Sequence, residues 1–108
     1  MTDSQVYLLI AIVLIKTYGG DELAHLLLRA KVESYAKWRP GFDDNAGARA
    51  EAGAIGDAQV FRSGDDPWEV LILIEWDELE RARQFVMSGG VKDPIFTDEP
   101  TVYFLHGV

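Results

Sequence analysis

The sequence predicts a ferredoxin-like α+β sandwich that pairs into a dimeric α+β barrel. Three observations carry this. The punctuation of residues 23–108 orders the chain β-α-β-β-α-β, one strand reads as buried on both faces, and that topology leaves an apolar sheet face uncovered in a monomer. The size agrees, since 108 residues make one domain around one core.

Residues 1–22 stand apart as an N-terminal extension. Residues 6–15 (VYLLIAIVLI) form an unbroken apolar run of ten, against about 20 residues for a helix that spans a bilayer. No membrane span is expected. A secretory signal would carry a basic region before the run and a small-residue cleavage site after it, whereas MTDSQ holds Asp3 and the run leads into Lys16, Thr17 and Tyr18. Its β-branched residues and Tyr7 favour an extra strand able to pair with a sheet edge. Gly19-Gly20 then breaks the chain before the ferredoxin-like domain of residues 23–108.

Residues 24–33 (AHLLLRAKVE) alternate as a first strand, with Leu26, Leu28, Ala30 and Val32 on one face and His25, Leu27, Arg29 and Lys31 on the other. Ser34 can cap a helix running to about Ala52. Pro40 predicts a kink in it, because the ring removes a donor and crowds the preceding turn, and Gly53 can stop it. Residues 58–63 (AQVFRS) form a short second strand, and Gly64-Asp65-Asp66-Pro67 a turn. Residues 69–76 (EVLILIEW) read as a central strand from their nearly continuous apolar middle. Asp77 and Glu80 have capping-box spacing for a second helix that Ser88-Gly89-Gly90 ends. A loop over residues 91–100 leads to a last strand, residues 101–106.

Two split β-α-β units place both helices on one side of a four-stranded antiparallel sheet. Leu71, Leu73, Phe61 and Leu105 then supply apolar positions to the bare side, more than a monomer leaves in water. Covering it with the same face of a second copy predicts a homodimer joined through the sheet faces.

With 18 acidic and 10 basic residues the formal net charge is −8, a field that repels phosphate backbones and argues against nucleic acid as a partner. Without cysteine there is no disulfide framework and no thiolate chemistry, which fits a reducing, cytoplasmic setting. No carboxylate–histidine cluster spells out a metal site, and no glycine motif indicates a flavin or nucleotide, so neither metal nor cofactor is expected.

The residues Tyr35, Trp38, Phe42 and Asp43 on the first helix, the turn Asp65 to Pro67, and Glu75 to Asp77 before the second helix form a recurring set. With them, residues 23–105 resemble the antibiotic biosynthesis monooxygenase-like group of dimeric α+β barrel proteins, and in particular its small bacterial members. The resemblance implies the fold and the dimer. It leaves the activity open among cofactor-free oxygenation, haem degradation, isomerisation and binding without turnover. The quinone-forming members pair an Asn with a Trp four residues later, whereas here Asn45 follows Trp38 by seven, so that pair is not reproduced. The haem-degrading members use a helical histidine as iron ligand, and both predicted helices lack histidine, which disfavours haem degradation.

At about 100° per residue, Tyr35, Trp38, Phe42, Ala46 and Arg49 share one stripe of the first helix with Asn45 at its edge. Such an aromatic stripe either fills the core or walls a pocket between helix and sheet. Arg49 has two readings as well: an anchor for an anionic group inside, or a side chain lying outward along the helix C-terminus. The candidate ligand pocket is therefore Tyr35, Trp38, Phe42, Asn45 and Arg49, with no catalytic residue assigned. His25 and His106 sit in no triad or metal spacing and read as surface or structural residues. Three functions follow: a cofactor-independent monooxygenase acting on an aromatic or polyketide-like substrate, a dimeric module that binds a hydrophobic or aromatic small molecule without turnover, and an interaction protein that recruits a partner through residues 1–22.

Overall fold

Alternation along the first strand sets the architecture. In a computed structural model that describes residues 24–108, Ala24, Leu26, Leu28, Ala30 and Val32 are all buried, while their neighbours are half-buried or exposed. The N-terminal extension and its expected extra strand lie outside the described residues. The elements are β1 (Ala24–Lys31), α1 (Tyr35–Asp44), α2 (Ala46–Ala52), β2 (Ala54–Arg62), β3 (Glu69–Trp76), α3 (Leu79–Met87) and β4 (Thr101–His106). The four strands form one antiparallel sheet in the order β2-β3-β1-β4. This is a ferredoxin-like α+β sandwich.

Register explains the two faces of the sheet. Leu26 pairs with Ile74 and Phe104, and Leu28 with Ile72 and Val102, so these residues line up on the helix side. Trp38 of α1 and Ala82 of α3 complete the core there. On the opposite side Leu27 pairs with Leu73 and Tyr103, and Leu71 with Phe61. Phe61 is 53% exposed, Tyr103 47% and Leu105 38%, large values for apolar and aromatic residues in strands. Arg29 and Glu69 pair at 2.6 Å on this same face.

Several local expectations are corrected. Ser34 caps α1 as expected, its hydroxyl accepting from the Lys37 N–H at 3.3 Å. The helical segment is not a single helix kinked near Pro40; it divides at Asn45, whose φ of −89° and ψ of 6° leave the helical range. Pro40 and Ala36 both face solvent, where water can reach the carbonyl that Pro40 leaves unpaired. Strand β1 ends at Lys31 rather than at residue 33, and β2 begins at Ala54 rather than at residue 58. A bulge between Ile55 and Gln59, with Gly56 at φ 67°, hides the early part of β2 from a period-two reading. Asp77 does not cap α3. Glu78 occupies that position, and Asp77 pairs instead with Arg81 at 2.6 Å.

Gly53 ends α2 as expected, and its role is wider than a stop. Its φ is 125°, and a Cβ there would lie 2.6 Å from Asp77 Oδ1 and 3.1 Å from the Arg81 guanidinium carbon. The Gly53 carbonyl accepts from the Asp77 N–H at 2.9 Å, and Arg81 Nη2 donates to the Glu51 carbonyl at 2.9 Å. Asp77 just before α3 and Arg81 in its first turn thereby satisfy carbonyls at the end of α2.

Candidate functional site

Trp38 anchors the site because it is the large residue of α1 that turns fully inward. Its ring centroid lies 4.9 Å from that of Phe42 and 5.8 Å from that of Tyr35, distances at which tilted aromatic pairs attract. The break at Asn45 then matters chemically. Carbonyls in the last turn of a helix have no intrahelical partner. That of Phe42 accepts from the Asn45 N–H at 3.2 Å and from Arg49 Nη1 at 2.8 Å. The Arg49 guanidinium also lies 3.8 Å from the Phe42 ring centroid, within cation–π range.

The Arg49 side chain does not lie outward along the helix end. The residue is 8% exposed. Among the described residues no carboxylate lies within salt-bridge distance of it, and Asp43 pairs instead with Arg39 Nε at 2.9 Å. Burial is the main influence on Arg49 and pulls its pKa below the ordinary arginine value; Asp43 opposes this at longer range and Arg39 adds to it. Arg49 still carries its charge at neutral pH.

Beneath α1 and α2 the structure contains a cavity of about 280 Å³. Its apolar walls are Trp38, Phe42, Ile74, Phe85 and Phe96, and its polar groups come from Asn45, Arg49, Lys92 and Asp93. A second cavity of about 330 Å³ lies against Phe42, Ile74 and Arg49 as well, and is lined otherwise by Arg39, Asp43 and the bulged segment Gly56, Asp57 and Ala58. Phe42 and Arg49 contribute to both.

Four of the five residues singled out from the sequence therefore line the first cavity, and one does not. Tyr35 is corrected to a supporting position: its hydroxyl accepts from Arg39 Nη1 at 2.9 Å, and the Arg62 guanidinium sits 4.9 Å above its ring. Two further walls were missed, Phe85 on α3 and the loop after it carrying Val91, Lys92, Asp93 and Phe96. The Thr97 N–H donates to the Lys31 carbonyl at 2.9 Å and Val32 bridges to Phe96, which together fix that loop beside β1. The signal was present, since Val91, Ile95 and Phe96 are many apolar residues for a loop that only connects. His25 lies on the face away from the helices beside Glu75 and Leu105, and His106 pairs with Ala24 at the sheet end. Neither lines either cavity. Among the described residues no group of three or more histidine, aspartate or glutamate side chains is placed to hold a metal, and no helix is long and apolar enough to cross a membrane.

Chains of solved structure share this architecture. A protein provisionally named an antibiotic biosynthesis monooxygenase, from Bordetella bronchiseptica, superposes with a TM-score of 0.65 at 16% identity over 80% of this chain and 97% of that one. Its counterpart from Nitrosomonas europaea, named in the same way, gives 0.60 at 10% identity over 80% and 90%. A further antibiotic biosynthesis monooxygenase gives 0.56 at 12% identity over 79% and 98%. The described domain has the fold of the antibiotic biosynthesis monooxygenases. No protein-family model and no curated protein matches the sequence. At such identities the likeness carries the antibiotic biosynthesis monooxygenase fold and not a reaction.

Proposed function

We propose that the domain binds a small hydrophobic or aromatic molecule in the cavity beneath α1 and α2, and that it does so as a homodimer closed through the outer sheet face. The observation that supports this best is the conjunction of aromatic walls with a buried arginine that has no carboxylate partner among the described residues. Apolar walls supply affinity without direction, and one or two polar groups orient the ligand. The dimer reading rests on Phe61, Leu71, Leu73, Tyr103 and Leu105, an apolar surface flanked by polar residues of the kind that proteins cover with a second subunit. A cytoplasmic location belongs to the same reading and rests on the cysteine-free composition.

Turnover is a second reading, favoured by the names of the structural neighbours. Cofactor-independent monooxygenation converts an activated methylene and dioxygen to a ketone and water, and passes through a substrate anion that a cation such as Arg49 would stabilise. The cavity offers little to form that anion. Its one carboxylate, Asp93, accepts from the Ile95 N–H at 2.9 Å as part of a turn. Binding without turnover is therefore the primary reading. Oxygen uptake measured with an anthrone or an electron-rich phenol decides between the two: sustained stoichiometric consumption that stops in Trp38→Ala establishes the oxygenase, and a flat trace with saturable binding establishes the binding module.

A further inference from the structure

We infer that the ligand of the first cavity is an amphipathic carboxylate of single-ring size, its carboxylate on the free donors of Arg49 and its ring between Trp38, Phe42 and Phe85. This rests on the reading that the cavity holds a small molecule and narrows it to one chemical class.

Charge is the first argument. In a chain of net charge −8, two cations, Arg49 and Lys92, stand around one largely apolar cavity against one carboxylate among the described residues, Asp93, so the lining is net positive. A buried guanidinium with no ion pair among the described residues is costly unless something satisfies its donors. Arg49 spends one donor on the Phe42 carbonyl, and a guanidinium has five. The remaining donors match the paired oxygens of a carboxylate better than a single phenolate oxygen or a neutral carbonyl.

Size is the second. A volume of about 280 Å³ lies at the low end of the roughly 300–1,000 Å³ of small-molecule pockets. One aromatic ring with a short acidic arm fills that space. Three fused rings suit it less well, since Phe85 stands as one wall and Gly90 lies so near that ring that a Cβ would come within 2.6 Å of it.

Isothermal titration of the full chain with phenylacetate, phenylacetamide and 2-anthroate tests both arguments. Phenylacetate is expected to bind at least about tenfold more tightly than its neutral amide, the lower end for a charge-assisted hydrogen bond. Arg49→Gln is expected to abolish that preference while leaving the amide's affinity nearly unchanged. If Arg49→Gln does not fold, Arg49→Lys is read in its place, with a loss confined to the acid as the expected result. Equal binding of acid and amide by the parent overturns the carboxylate inference and leaves the cavity reading standing. Binding of 2-anthroate as tight as that of phenylacetate overturns the size limit alone. Failure of every probe to bind overturns both the inference and the reading beneath it.

Discussion

The Arg49 guanidinium lies 3.8 Å from the ring centroid of Phe42 and donates to that residue's own carbonyl at 2.8 Å. One residue thus fixes the arginine at two points, through its ring and through its backbone. The ring part is separable by mutation, since the carbonyl survives any substitution at position 42. A double-mutant cycle of Phe42→Leu and Arg49→Gln, followed by urea unfolding, is expected to give a coupling of about 0.5–2 kcal/mol. A coupling near zero would show that the proximity carries no energy.

Trp38 is 1% exposed and touches both the core and the cavity. Trp38→Ala is expected to lower stability by about 3–5 kcal/mol and to weaken ligand binding in the fraction that remains folded. If Trp38→Ala melts earlier but binds as the parent does, the aromatic stripe is core only and the cavity is not a site.

At Gly53 two constraints coincide, a φ of 125° and a Cβ position 2.6 Å from Asp77 Oδ1. Gly53→Ala is expected to destabilise by more than about 1 kcal/mol, read as a lower midpoint with an unchanged denaturant slope. An unaltered midpoint would mean that the turn relaxes freely and that the clamp on the end of α2 is loose.

The outer face predicts association. Leu73 sits in its middle, paired with Leu27 on one side and Gln59 on the other. Leu73→Glu is expected to give a folded monomer by light scattering where the parent gives a dimer. A parent chain that is a stable 12.1 kDa monomer at micromolar concentration would refute the sheet-face dimer outright.

Acid dependence is expected from Asp66. Its carboxylate accepts from the Trp68 N–H at 2.9 Å, which holds its pKa below the ordinary value of 3.8; partial desolvation opposes this, and Lys31 at 3.3 Å adds to it. Because the folded-state value is the lower one, the stabilisation is fully present above the unfolded-state value and is lost as pH falls through the folded-state value. Asp66→Asn keeps an acceptor for Trp68 and removes the titration. The stability of the parent is expected to fall more steeply than that of the variant below about pH 4, as measured by melting across an acid series. Parallel curves would assign the acid sensitivity to other carboxylates.

Much of the fold was legible because period-two alternation is a strong signal where one sheet face is buried. Residues 69–76 and 101–106 form strands over the predicted spans, and Ser34 and Gly53 bound the first helical segment as their chemistry requires. The signal failed where backbone geometry departs from a regular period. The bulge at Gly56 concealed the start of β2, and the break at Asn45 is invisible beside Pro40, a stronger-looking breaker that solvent accommodates. Half of the cavity was legible, since Trp38, Phe42, Asn45 and Arg49 share one stretch of chain. The other half comes from α3 and the loop after it, which only tertiary folding brings opposite.

Phe85 packs at a tilt on Trp76, centroids 5.1 Å apart, while also walling the cavity, and the bare backbone of Gly90 leaves room for it, since a Cβ there would come within 2.6 Å of its ring. The sandwich and the cavity therefore share one ring, and selection cannot reshape that wall without disturbing the core. Val91 and Phe96 likewise pack against the core while facing the same space, whereas Lys92 faces that space without packing there. Exchange of ligands between lineages with this backbone is thus steered toward positions such as Lys92, where a recharged side chain alters admission without rebuilding the domain.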